Sequence, residues 1–194
     1  MTQKPKTRFR LWPYVLLSKR WFMPAFWLIP GGVALWWAAP NLPRHEPSLA
    51  FLPLGISGIG VLLVIYTIIA RQANITCKSN RFVVHTPFYP VAFSYHRIEM
   101  IRPMLFNNIF PPQQEKRARL QMYYKLWGQT VIVISLNDYP LPRWWMKFWF
   151  HPYLLHPQER ALVLPVDDWM GLSRQLEVQR ARLREQPGRR RANG

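Results

Sequence analysis

The chain has 194 residues, room for one compact domain plus a membrane segment. Its 26 Lys and Arg against nine Asp and Glu leave a formal charge of +17, so the expected partners are polyanions: nucleic acid, an anionic lipid surface or an acidic protein. The single cysteine, Cys77, excludes an intramolecular disulfide and any Cys-rich metal site, and reads as a small buried apolar side chain. Ten Trp, eight Tyr and eleven Phe accompany a mean hydropathy of only −0.12, so apolar and basic parts are segregated along the chain.

Residues 1–20 carry Lys4, Lys6, Arg8, Arg10, Lys19 and Arg20 and no acid. No small-residue cleavage site follows a short apolar core, so a removed leader is not expected. Leu11–Leu17, with Trp12 and Tyr14, reads as a short amphipathic segment at a membrane interface. Trp21–Pro43 is then uncharged for 23 residues, with Pro24, Pro30, Gly31, Gly32 and Pro40 inside it. Pro30 and the two glycines predict a kink or local opening. Trp21, Trp27, Trp36 and Trp37 place indoles near both ends, as an aromatic belt does.

A short loop around Asn41–Pro47 holds Arg44, His45 and Glu46. Ser48–Ala70 is a second uncharged stretch of 23 residues, closed by Arg71. At about 1.5 Å per residue, ~20 residues cross a ~30 Å hydrocarbon core, so both stretches read as transmembrane helices. The outer flanks are far more basic than the loop, which places both termini in the cytoplasm. Asn74-Ile75-Thr76 matches a glycosylation sequon but falls on the cytoplasmic side in that topology. Gly55 and Gly58 share a face of the second helix on which another helix packs closely. That face meets either the first span or a partner subunit.

Beyond the hairpin, 72–186 reads as a small α+β domain. Ile75–Cys77 and Arg81–Thr86 predict two strands around a Ser79-Asn80 turn. Val91–Ile101 predicts a third, and Leu120–Lys125 and Val131–Leu136 two more, split by Gly128. Ala161–Leu164 is the last. Asp167 or Asp168 then caps a helix with an apolar stripe at Trp169, Leu172, Leu176 and Leu183. Its later turns carry Arg174, Arg180, Arg182 and Arg184. The basic tail 187–194 is expected to be disordered.

Two segments interrupt the strands, 103–119 and 139–159. The second sets Trp144, Trp145, Phe148, Trp149, Phe150 and Tyr153 beside Arg143 and Lys147. So many aromatics in so short a segment are expected either to lid the core or to form a surface that contacts lipid or a partner. The contact residues read from it are Arg143, Trp144, Trp145, Lys147, Phe148, Trp149 and Tyr153, with the two cations facing lipid phosphates and the rings at headgroup depth.

The strand–turn–strand ITCKSNRFVVHT after the second span, the strand holding Ile98 and Ile101, VIVISL, and the closing PVDDWMGLSRQLEVQRARL together resemble the bacterial membrane proteins with pleckstrin-homology (PH)-like domains. The resemblance implies a two-helix membrane hairpin followed by a PH-like small antiparallel barrel or sandwich closed by a C-terminal helix. It also implies a non-enzymatic scaffold, in a bacterial inner membrane, that binds protein or lipid.

Catalytic signals are few. His45, His85, His96, His151 and His156 are scattered, and the His151–His156 spacing across a proline is no established zinc pattern. A haem or pigment ligand at His151 or His156 is a lesser reading. Asp167-Asp168 is explained by capping. No phosphate-loop, dinucleotide, nucleophile-elbow or zinc-helix motif occurs. The expectation is a non-enzymatic accessory, scaffolding or assembly subunit of a larger membrane complex, without cofactor or metal. Its expected partners are anionic lipids and an integral membrane protein, and no nucleic acid. A stand-alone lipid-sensing adaptor is the second reading, and an enzyme acting on a lipid or cofactor the third.

Overall fold

The computed structural model describes residues 8–38 and 51–192, with side chains to Leu183. The expected loop 41–47, with His45, and Lys4 and Lys6 lie outside the described residues.

The chain opens on strand β1 (Arg8–Arg10) and passes directly into helix α1 (Trp12–Ala38). Helix α2 (Leu52–Ala70) follows, then strands β2 (Asn74–Cys77), β3 (Arg81–His85) and β4 (Pro90–Ser94). These strands form one antiparallel sheet in the order β1-β2-β3-β4. Helices α1 and α2 are therefore inserted between two adjacent strands. Phe9 pairs with Ile75 in the β1–β2 ladder, so the two helices leave and rejoin the sheet side by side.

Both helices are long and apolar enough to cross a membrane. Only 11% of the apolar stretch of α1 and 17% of that of α2 is buried, the reverse of a soluble core helix. They pack on each other through small residues. The Ser57 hydroxyl donates to the Ile29 carbonyl at 3.0 Å. A Cβ at Gly32 would meet the Pro53 carbonyl at 2.5 Å, and one at Gly60 would meet Leu28 and Ile29 at 3.0 Å. Gly55 and Gly58 face outward with open space beside them. The contact within the hairpin is thus made by Gly32, Ser57 and Gly60. Helix α1 runs on through Pro24 and Pro30 as a single element.

The remaining elements are β5 (Ile98–Leu105), α3 (Phe106–Ile109), α4 (Arg117–Met122), β6 (Thr130–Leu136), α5 (Arg143–Trp149), β7 (Ala161–Leu164) and α6 (Trp169–Ala192). Strands β5, β6 and β7 form a second antiparallel sheet in that order. The expected strand Val91–Ile101 is split by a 3-10 turn at Tyr95–Arg97, and its halves serve different sheets. Pro103 is accommodated because β5 lies at an edge. The expected strand Leu120–Lys125 is instead the end of α4 and a 3-10 turn. Arg117–Met122 contains no β-branched residue and favours helix.

Strand β6 explains why VIVISL is apolar throughout. Ile132, Ile134 and Leu136 join one core with Phe9, Leu11, Tyr14, Ile75, Phe82, Phe93, Leu172 and Leu176. Val131 and Val133 face a second core made by Leu16, Phe106, Ile109, Tyr123, Leu126 and Tyr153. A strand covered on both faces needs no polar alternation. The two interrupting segments contribute Phe106, Ile109 and Tyr153 to that second core. Leu11–Leu17, expected at a membrane interface, is the link from β1 and the first turns of α1, and Leu11, Tyr14 and Leu16 are buried in the domain. The domain therefore includes residues 8–18, and its sheet is incomplete without them. At the other end the backbone of α6 stays helical to Ala192, through residues 187–192 of the tail expected to be disordered.

Two antiparallel sheets and a C-terminal helix make a mixed α+β domain. Among the described residues the sheets do not close into a barrel.

Candidate functional site

Helix α5 begins after Pro142, whose extended backbone precedes the first turn, and ends before His151-Pro152, where the residue ahead of proline disfavours helix. Met146 and Phe150, four residues apart, point inward and are buried. Trp144 and Phe148, also four apart, point outward and are 68% and 74% exposed. Trp145 and Trp149 are half-buried between these faces, and Lys147 is exposed.

The exposed rings continue beyond α5. Trp144 packs edge-on to Trp145 at 5.3 Å between ring centroids, and Trp145 on Trp149 at 5.9 Å. Trp149 meets Phe88 at 5.9 Å and Tyr89 at 6.4 Å. Phe88 then stacks on Tyr66 of α2 at 5.5 Å. Tyr66 lies four residues, about 6 Å of rise, before the end of α2. A strip of aromatic rings thus runs from the base of the apolar hairpin to the outer face of α5. Tyr66, Phe88 and Tyr89 were not singled out in the sequence. The available signal was Thr86-Pro87-Phe88-Tyr89-Pro90, two aromatics held in a turn by flanking prolines. There the Thr86 hydroxyl donates to the Tyr89 carbonyl at 2.6 Å and accepts the Tyr89 N–H at 3.1 Å.

Two expected contact residues are placed differently. Tyr153 is buried, because the 3-10 turn Pro152–Leu154 directs it into the second core against Phe106, Phe110 and Tyr123. Arg143 is exposed, but its guanidinium donates to the carbonyls of Pro157 at 3.0 Å and His156 at 3.5 Å. It ties α5 to the following loop. Trp144, Lys147 and Phe148 carry the outward face, with Trp145 and Trp149 behind them.

The histidines of this segment are structural in their contacts. His151 Nδ1 accepts the Tyr153 N–H at 3.2 Å, so in the neutral ring Nε2 carries the proton and faces the Tyr123 hydroxyl at 2.7 Å. The Tyr14 hydroxyl accepts the His151 N–H at 3.0 Å, locking α1 to this turn. Burial, and then the charge of Arg119, push the His151 pKa down to about 4. His156 Nδ1 accepts the N–H groups of Glu159 at 2.9 Å and Gln158 at 3.3 Å. Among the described residues no three His, Cys, Asp or Glu side chains gather to hold a metal ion.

The two aspartates divide their work. Asp168 caps α6, its Oδ1 accepting the Gly171 N–H at 2.8 Å. Asp167 Oδ1 accepts the Arg10 N–H at 3.3 Å and ties β1 to the start of that helix. Cys77 is half-buried rather than buried, and burial pushes its thiol up to about 11, so it is protonated near neutrality.

These features define an α+β domain with an apolar helical hairpin inserted between two of its strands and an aromatic strip at the hairpin's base. No protein-family model, curated protein or solved structure matches the chain.

Proposed function

We propose that this is a two-span integral membrane protein without catalytic activity, an accessory, scaffolding or assembly subunit of a larger membrane complex. The aromatic strip from Tyr66 to Phe148 is the observation that carries the reading. Rings that start on a membrane-spanning helix and continue over the domain suit headgroup depth, where an amphipathic ring has one apolar and one wet side. Lys147 on the same helix faces anionic lipid or an acidic neighbour. The domain is seated on the bilayer surface because its own sheet clamps the hairpin at both feet.

The order of short antiparallel strands followed by one C-terminal helix supports a PH-like domain, here with the hairpin set inside it. The basic flanks favour a cytoplasmic domain in a bacterial inner membrane. The outward Gly55–Gly58 face leaves room for a helix of another subunit. Extraction in mild detergent, followed by native electrophoresis and mass spectrometry, tests the reading. Stoichiometric co-migration with another integral membrane protein is the expected outcome. Migration only as the 23.2 kDa chain or its homodimer refutes it. In that case the lipid-sensing adaptor becomes the better account.

A further inference from the structure

The outward face of the four-stranded sheet meets the foot of α2 in a hollow of about 750 Å3. Strand alternation builds its floor. Phe9, Ile75 and Val84 point into the core, so the residues between them point out. Arg10, Asn74 and His85 form one cross-strand row, and Arg8 sits beside them opposite Thr76. Ile69, Arg71 and Gln72 close the side nearest the hairpin, and Asp167 lies on the rim. Three arginines and one aspartate line it, so the hollow is positive. Asp167 is already engaged with the Arg10 main chain.

Its height follows from the hairpin. Arg71 directly follows Ala70, the last residue of α2, and its guanidinium carbon lies 4.9 Å from the centre of the Phe22 ring on α1. Lys19 and Arg20, one turn earlier, are exposed. Above this level α2 presents Ile65, Ile68 and Ile69 outward. The hollow thus lies where apolar helix surface gives way to charge.

We propose that this hollow binds the phosphate of an anionic phospholipid headgroup, with Arg8, Arg10 and Arg71 on the phosphate oxygens and an acyl chain along Ile65 and Ile69. This rests on the reading that α1 and α2 cross a bilayer. A guanidinium fork matches two phosphate oxygens at once, and charge-assisted bonds of this kind are the strong ones. Asn74 and His85 add neutral hydrogen-bonding groups to the floor. Free phosphate shares this chemistry, but the isoleucine wall continuing from the hollow has a use only for a lipid. The site involves none of the residues of α5.

The test uses the full chain in detergent micelles, with native mass spectrometry of retained lipid. Phosphatidylglycerol, phosphatidylcholine of matched chains and inorganic phosphate are the three probes. The wild-type chain is expected to retain phosphatidylglycerol at least about tenfold better than phosphatidylcholine, a difference of about 1.4 kcal/mol. The triple variant Arg8→Gln/Arg10→Gln/Arg71→Gln is expected to lose that preference. The matching Arg→Lys triple variant, which keeps the charge but loses the fork, is expected to keep only part of it, and Arg182→Gln, at an exposed residue of α6, all of it. Monodisperse elution with unchanged circular dichroism shows that each variant is folded. Unchanged selectivity in the folded Gln variant overturns the proposal, and so does displacement of the lipid by millimolar inorganic phosphate. Carbonate washing of membranes reports on the hairpin separately. Release of the chain overturns the membrane reading together with this site, whereas retention with unchanged selectivity in the Gln variant overturns this site alone.

Discussion

Residues 71–194 are expected not to fold once separated from residues 1–18, although the hairpin lies between them in sequence. Phe9, Leu11, Tyr14 and Leu16 are each at most 6% exposed, and all four are lost with that segment. Burying one such side chain contributes roughly 1.5–3 kcal/mol, so together they contribute about 6–12 kcal/mol. A whole domain is typically stable by only about 5–15 kcal/mol. The deletion also leaves β2 as a raw edge and removes the Tyr14 hydroxyl from the His151 N–H. The assay is urea unfolding followed by far-ultraviolet circular dichroism. It compares residues 71–194 alone with a chimera in which residues 1–18 are joined to 71–194 by a flexible Gly/Ser linker. The chimera should unfold cooperatively, and the isolated fragment should show no transition. A fragment that unfolds at the same urea concentration as the chimera would refute the argument that the first strand belongs to the core.

The second prediction concerns pH. The unfolded chain takes up a proton at His151 below about pH 6.5, while the native state refuses it until about pH 4, so stability is present above pH 6.5 and falls as pH drops through that window. The full loss is about 3 kcal/mol, and His151→Gln should flatten the slope of urea stability against pH. An equally steep profile in the variant would show that another group titrates. Gly32→Leu should break the α1–α2 contact, whereas Gly55→Leu and Gly58→Leu should leave the hairpin intact and weaken only association with another subunit. Cysteine cross-linking between the helices reads the first, and native electrophoresis the second. If the aromatic strip lies at headgroup depth, lipids brominated near the headgroup should quench a variant retaining only Trp144 more than lipids brominated at the chain ends do. Quenching by neither set would place α5 away from the bilayer.

Much of the local structure is legible in the residues themselves. An uncharged run such as that of Leu52–Ala70 has one economical conformation, because a helix satisfies its own backbone groups without polar help. Val131–Leu136 reads as a strand from its own residues, since a run rich in β-branched side chains and bounded by turns suits a pleated surface. Asp168 caps α6 through a bond that spans only three residues.

What failed were inferences about partners distant in the chain. Leu11 and Tyr14 sit beside Trp and Arg just before an apolar run, the local pattern of a membrane interface. Only the pairing of Phe9 with Ile75, across the whole hairpin, carries them into the core of the domain. Tyr153 shares its composition with Trp144 and Phe148, but a proline-initiated turn sends it to the opposite side. Gly55–Gly58 and Ser57–Gly60 are equally small pairs at the same spacing, and the facing residues Ala25, Ile29 and Gly32 choose between them. The arginines of the basic hollow are scattered from residue 8 to residue 71, and the pairing of β1 with β2 together with the end of α2 brings them together. Sequence thus determined the elements and their apolar or basic character, because backbone hydrogen bonding, capping and side-chain periodicity act over a few residues. The tertiary structure decided which faces are satisfied and which remain open, because burial depends on neighbours that arrive from elsewhere in the chain.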